Sequence, residues 1–260
     1  MILSLVGCTH YYYAPNSENI PLFKEKNTFK GKAGIGGGDG YTGGDIQLAY
    51  SATPKIAIML NSFFAGKSEL VPDNYSSNTS HEESGHGSYF ELGAGYYKAF
   101  GINKIWVFET YAGAGTGCEN HIYNYNQTAK LGIIKYFIQP SFGYSSKKQT
   151  FEIAVGSRFC SLNLKMNQNN VSIQENGENR KVLDTIGIHP SSILWEPSIM
   201  IAAGWHSFKF FAERTTSKNL SNRYLPQENE NFIIGLKFAL DRETKSNNKV
   251  NGDSFYPRTD

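Results

Sequence analysis

The sequence predicts an all-β protein, a ten-stranded antiparallel up-and-down transmembrane β-barrel with short periplasmic turns and long extracellular loops. From about residue 28 onward, apolar side chains recur at every second position, which is the period of a β-strand. The positions between them carry many of the charged residues, and the connections between strands alternate between long and short. Together these features are typical of barrels that cross a membrane with strands.

The composition excludes several other classes of protein. The 260 residues include 25 basic and 23 acidic ones, so the basic excess expected of a nucleic-acid-binding protein is absent. A membrane-spanning helix needs about 18 consecutive apolar residues, and the sequence contains no such run. Aromatic residues make up 14% of the chain, which supplies enough apolar surface to argue against disorder.

Ten segments show the alternating pattern, and no helix is expected. The first strand is rich in glycine and covers residues 28–38. The other nine are centred on residues 46–50, 56–60, 90–96, 106–112, 134–144, 151–159, 199–205, 208–212 and 232–240. An even number of strands returns the C-terminus to the side on which the barrel begins.

The connections predict which end of the barrel faces which way. Four short connections are expected near residues 53–54, 100–103, 145–148 and 206–207. Five mostly longer and polar ones are expected near residues 39–43, 67–85, 118–128, 167–189 and 218–229. Barrels of the bacterial outer membrane have short periplasmic turns and longer extracellular loops. The alternation therefore indicates an up-and-down barrel with the shorter connections in the periplasm.

The polarity of the two faces is the reverse of that in a water-soluble barrel. If the apolar set faces lipid, the alternate positions face the lumen, and they include six basic and seven acidic residues. A lumen of ten strands leaves little space, so we expect these charges to pair and to plug it. The predicted ion network consists of Lys30, Lys32, Asp45, Glu91, Glu109, Lys135, Glu152, Arg158, Glu196, Lys209, Glu213, Lys237 and Asp241.

The N-terminus has the features of an export signal. Leu5, Val6, Gly7 and Cys8 match a bacterial lipobox, although a basic n-region and half of the apolar stretch are missing. We therefore expect translation to start upstream of Met1 and Cys8 to carry a lipid anchor in the periplasmic leaflet. The predicted organisation is a signal-peptide remnant (residues 1–7), an extended periplasmic segment (8–27), the barrel (28–241) and a polar periplasmic tail (242–260).

The segment after Cys8 carries a family resemblance. The run THYYYAPNSENIPLF at residues 9–23, with its aromatic cluster, its APNS turn and its PLF step, resembles the start of uncharacterised outer-membrane β-barrel lipoproteins of Bacteroidota. The resemblance is specific over about twenty residues (residues 7–26) and covers only the strand pattern beyond them. It implies a location and a fold, but no established activity.

Few residues suggest a reaction. His81, His86 and His121 are weak candidates for a surface metal site, and no cofactor is expected. Two pairs at the outer rim, His189 with Asp184 and His81 with Glu82, are nominal candidates for a membrane protease, but the motif of such enzymes is missing. The prediction is therefore that the protein is not an enzyme.

The function expected from the sequence is a structural or accessory subunit, or a surface binding module, with a plugged lumen. One alternative is a narrow channel or binding pocket for a small, hydrophobic ligand, and a rim-active enzyme is a third. The expected partners are outer-membrane lipid and other outer-membrane subunits, not nucleic acid. The expected location is the cell outer membrane.

Overall fold

A computed structural model describes residues 10–72, 80–174, 176–222 and 224–241. The long strands are β1 (Thr28–Gly38), β2 (Tyr41–Tyr50), β3 (Ile56–Pro72), β4 (Ser80–Phe100), β5 (Trp106–Tyr123), β6 (Gln127–Ser145), β7 (Phe151–Asn169), β8 (Ser191–Gly204), β9 (Phe208–Thr216) and β11 (Glu230–Asp241). Between the last two lies β10 (Lys218–Asn219), a two-residue strand that pairs with β8.

The ten long strands form one closed antiparallel barrel. Each strand pairs with the strands before and after it in the chain. The barrel closes where β1 pairs with β11, with Thr28 opposite Asp241 and Gly37 opposite Phe232. Strands β9 and β11 are also adjacent, and β8 pairs with β9, which completes the cycle. The predicted fold class, a ten-stranded up-and-down barrel, is confirmed.

The two ends of the barrel differ in their connections. One end, the short-turn end, carries the turns at residues 51–55, 101–105, 146–150 and 205–207. The other, the long-connection end, carries a two-residue turn at 39–40, the connection 124–126 and the longer segments 170–190 and 217–229. Strands β3 to β7 are the longest, with 17 to 21 residues each, and they extend furthest towards this end.

Two expectations about the connections were wrong. Much of residues 67–85 and 118–128 continues the strands. Polar residues interrupt both faces there, so the apolar alternation that predicts a strand is lost. The β7–β8 connection contains a helix, α1 (Gly177–Ile188), where none was expected. It buries only Leu183 and Ile186, too few apolar positions to give a helical period. Among the described residues, no helix combines the length and apolar character needed to cross a membrane.

The outward face of the strands forms an apolar belt. At mid-strand Val155 and Ile199 face each other across β7 and β8 and are 50% and 51% exposed. Other exposed members of the belt are Ile46, Ile58, Leu92, Phe108, Ile138, Ile153, Ile201, Phe210, Ile234 and Leu236. Towards the long-connection end the outward positions become polar, with Glu82, His86, Ser88, Ser161 and Lys165. The short-turn end carries exposed Lys55, Lys98, Lys104, Lys147 and Lys148.

The interior is filled by the chain's own N-terminal residues. Residues 12–23, called here the luminal segment, are all buried, although they belong to no strand. Side chains of the segment contact inward-facing side chains of β3, β4, β6, β7 and β8. The prediction for residues 8–27 is an extended periplasmic segment. Residues 12–23 instead lie inside the barrel, because the wall offers partners to their backbone groups.

Candidate functional site

The luminal segment runs along the barrel from one end to the other. At the long-connection end, His10 Nε2 lies 2.8 Å from Glu83 Oε2, near the start of β4. At the short-turn end, Lys24 Nζ donates to the carbonyl oxygens of Ser145 and Ser146, both at 2.9 Å. An extended chain advances at most about 3.6 Å per residue, so residues 12–23 can cover about 40 Å. The segment therefore passes through the full length of the belt.

Acidic side chains of the wall accept hydrogen bonds from the backbone N–H groups of the segment. Ser17 donates its N–H to Asp45 Oδ2 at 3.0 Å, and Glu18 donates its own to Glu213 Oε1 at 2.6 Å. Near the short-turn end, Leu22 and Phe23 donate to the two oxygens of Glu109 at 3.0 and 2.7 Å. Each carboxylate thus supplies the hydrogen-bond acceptor that a neighbouring strand would otherwise provide through its backbone carbonyl groups.

Leu22 adopts a backbone conformation that serves this contact. Its φ of 56° lies in the left-handed region, which is unfavourable for a residue with a side chain. Successive N–H groups can converge on one anion when adjacent residues combine right- and left-handed conformations. The convergence of the Leu22 and Phe23 N–H groups on Glu109 offsets the strain at Leu22.

Basic and amide side chains of the wall donate to the carbonyl oxygens of the segment. Their donor atoms lie 2.6 to 3.1 Å from those oxygens, as expected for hydrogen bonds with charged or amide donors. The pairs are Gln47 and Arg158 with Ser17, Lys32 with Glu18, Gln139 with Asn19, Lys237 with Ile20, and Lys30 with Leu22. Acidic wall residues therefore bind the N–H groups of the segment, and basic and amide wall residues bind its carbonyl oxygens.

A cluster of four charges lies on the wall strands β4, β6, β7 and β8. Lys135 Nζ lies 3.1 Å from Glu91 Oε1 and 3.5 Å from Glu196 Oε2. Arg158 Nη1 lies 3.9 and 3.7 Å from oxygens of the same two carboxylates. Buried charges are costly unless they are paired and hydrogen-bonded, and here two cations face two anions.

Side chains of the segment complete this cluster. Tyr13 donates its hydroxyl to Glu196 Oε1 at 2.6 Å and accepts from Lys135 Nζ at 2.9 Å. Asn16 donates its amide to Glu91 Oε2 at 3.1 Å, while its Oδ1 accepts from Lys135 at 3.2 Å. The segment is therefore part of the polar network and does more than fill space.

The wall is shaped to admit the segment at two glycines. A Cβ atom at Gly156 would lie 2.0 Å from Glu18 Oε2, and one at Gly143 would lie 2.6 Å from Leu22 Cδ2. Both distances are far below van der Waals contact, so a larger residue at either position requires the Glu18 or the Leu22 side chain to shift. The absence of a side chain at Gly143 thus leaves space for Leu22 in the lumen.

The structure accounts for most of the residues proposed as a luminal ion network. Twelve of them are at most 3% exposed and point inward: Lys30, Lys32, Asp45, Glu91, Glu109, Lys135, Glu152, Arg158, Glu196, Lys209, Glu213 and Lys237. The side chain of the thirteenth, Asp241, lies outside the described part, as does Cys8. Sequence reasoning missed the partners supplied by residues 12–23, because an isolated extended segment has no periodicity to reveal it.

The histidines considered for metal binding are not brought together. His81 points inward, with its Nε2 3.2 Å from Glu83 Oε1, whereas His86 is exposed on the outer face. The five-residue spacing is odd, so a strand places the two on opposite faces. His121 points inward, with its Nε2 3.2 Å from Glu119 Oε2. Within the described ranges, no three His, Cys, Asp or Glu residues are arranged to hold a metal ion.

The two rim pairs considered for catalysis are also separated. Asp184 accepts a hydrogen bond from Arg180 within α1, while the His189 ring stacks on Tyr224 at 5.1 Å. His81 and Glu82 are adjacent in β4 and therefore point to opposite faces.

Comparisons with known proteins add little. No protein-family model matches the chain, and no curated protein matches it. Among solved structures, the chain is similar to OmpT (in-vitro folded), an outer membrane protein of Vibrio cholerae in its trimer form. The two are 11% identical, and the match covers 82% of this chain and 98% of that one at a TM-score of 0.26. The overlap is too loose to support an inference, so the fold assignment depends on the strand pairing.

Replacing Glu109 tests the binding of the segment to the wall. Glu109→Leu removes the acceptor of two buried N–H groups, and a hydrogen bond to a charged group contributes about 1.5–3 kcal/mol. We expect a clear fall in the thermal unfolding midpoint, and a smaller fall for Glu109→Gln, which keeps one acceptor oxygen. The outward-facing Thr110→Val on the same strand is the control and should change little. Equal midpoints for Glu109→Leu and the control would contradict the contact.

A double-mutant cycle tests the close approach at Gly156. Gly156→Ala should destabilise the barrel because the added methyl group overlaps the Glu18 carboxylate. Glu18→Ala removes that overlap, so the double variant should be more stable than the sum of the two single effects by about 0.5–3 kcal/mol. Chemical unfolding in one detergent measures all four proteins. Additive effects would show that residue 18 does not pack against β7.

Proposed function

We propose that this chain is an outer-membrane barrel of a Gram-negative bacterium that does not conduct and acts as a structural subunit or surface binding module. One observation carries the proposal: a belt of exposed apolar side chains surrounds a barrel in which twelve buried charged side chains face a filled lumen. A soluble barrel would bury the apolar set, because exposing it to water is unfavourable. In a bilayer the same arrangement is favourable.

The position of the belt supports the orientation. Apolar residues begin directly at the short-turn end, whereas several strands continue beyond the belt at the other end with polar outward faces. Outer-membrane barrels have short periplasmic turns and extended extracellular portions. The long-connection end is therefore the extracellular one in this proposal, and the lipobox-like residues before Cys8 support export.

The extracellular end offers the surface for a partner. Four apolar side chains there are between 68% and 72% exposed. They are Leu70, which lies in β3 beyond the belt, and Tyr125, Ile173 and Ile188, which lie in the connections between strands. In this proposal they form part of the partner-binding surface, because contiguous apolar patches outside a membrane mark contacts with other proteins.

An arginine placed on the belt tests the membrane assignment. Val155→Arg puts a charge on the outward face within the apolar belt, which costs about 2–4 kcal/mol in a bilayer. Asn167→Arg, twelve residues further along the same strand and also exposed, follows outward-facing Lys165 beyond the belt and should cost little. Denaturant unfolding of both variants in phospholipid vesicles measures the difference. Equal and small costs would be the result for a water-soluble barrel.

Planar-bilayer recording tests whether the lumen is closed. The full chain should give no stepwise conductance, because residues 12–23 and buried charged side chains of the wall occupy the lumen. A variant lacking residues 12–23, selected for folding by its heat-dependent gel mobility, should conduct. Stable conductance of the full chain would instead support the narrow-channel alternative.

A further inference from the structure

The described chain enters the lumen at one end and leaves at the other. His10 lies beside Glu83 and Tyr123, both at the long-connection end, and its ring centroid is 4.5 Å from that of Tyr123. After residue 23 the chain reaches the short-turn end, where Lys24 binds the β6–β7 turn and β1 starts at Thr28. The C-terminal strand β11 ends at Asp241, opposite Thr28.

We propose that the chain crosses the outer membrane once through its own lumen, so that His10 lies at the extracellular mouth and the last strand ends in the periplasm. This inference rests on the membrane function proposed above. At His10 the chain is at the extracellular mouth, and residues 12–23 fill the lumen beyond it. We therefore expect a tag placed directly before His10 to be accessible from outside the cell.

The inference changes the leaflet expected for the anchor. Cys8 precedes His10 by two positions, and an extended chain of that length spans about 7 Å. With this path, the acyl chains predicted on Cys8 would belong to the outer leaflet at the long-connection end. The periplasmic leaflet predicted from the sequence requires the segment to stay at the periplasmic mouth.

The filled lumen determines how such a path can form. At Gly156 the wall has no room for a single Cβ atom beside Glu18, and buried hydrogen bonds hold residues 17, 18, 22 and 23 along the path. An N-terminal end carrying acyl chains could not be drawn through this space after closure. The barrel must therefore close around the segment.

Tags on intact bacterial cells test the direction of the segment. A short epitope with a protease site is inserted between Thr9 and His10, and reference insertions are made after Tyr125 and after Lys147. The two references lie at opposite ends of β6. With an impermeant protease, we expect the N-terminal and Tyr125 tags to be cut on intact cells, and the Lys147 tag only after permeabilisation.

Each result has a distinct meaning. If the N-terminal tag behaves like the Lys147 tag, the through-lumen path is overturned while the membrane assignment stands. If both references are cut equally on intact cells, no membrane separates them, and the proposed function fails together with this inference. If the insertion prevents folding, Thr9→Cys in a Cys118→Ser background replaces it. Its labelling by an impermeant maleimide, located by peptide mass, should match that of Tyr125→Cys, and protection on intact cells would overturn the proposal.

Discussion

The structure depends on the hydrogen bonds between charged wall side chains and the backbone of the luminal segment. An extended chain inside a closed barrel has no neighbouring strand, so its buried N–H and C=O groups need other partners. Carboxylates at Asp45, Glu109 and Glu213 accept from the N–H groups, and lysines at 30, 32 and 237 donate to carbonyl oxygens. The wall charges therefore satisfy both one another and the segment, which explains why cations and anions are nearly equal in number.

The sequence was sufficient to predict the barrel, since period two over ten segments assigns both the strands and the side of each residue. It was not sufficient to identify what occupies the lumen. Residues 12–23 make different contacts at each position, so no repeating pattern marks them as buried. Pro15 and Pro21 are the one physical hint: each lacks an N–H group and so reduces the donors that the wall must satisfy. Strand ends beyond the belt were also hidden, because polar residues occupy both faces there.

A lumen filled by covalently attached chain has different consequences from one filled by side chains alone. Side-chain plugs can rearrange by changing rotamers, whereas residues 12–23 are tied to β1 at one end and to the mouth contacts of His10 at the other. Solute passage would require the loss of many buried hydrogen bonds at once, each with a considerable desolvation cost. The architecture therefore favours a fixed connection across the barrel over a gate.

The seam between the first and last strands shows why the segment and the closed barrel belong together. Lys32 on β1 lies directly opposite Lys237 on β11, and Lys237 lies opposite Lys209 on β9. Like charges in such cross-strand pairs are destabilising, and here they are also buried. Glu213 and Glu152 neutralise part of this row, and the carbonyls of Glu18 and Ile20 accept from Lys32 and Lys237. Because two of those acceptors belong to the segment, closing the seam without it would bring three lysines together with fewer partners, so the segment and the last strand pairing stabilise each other.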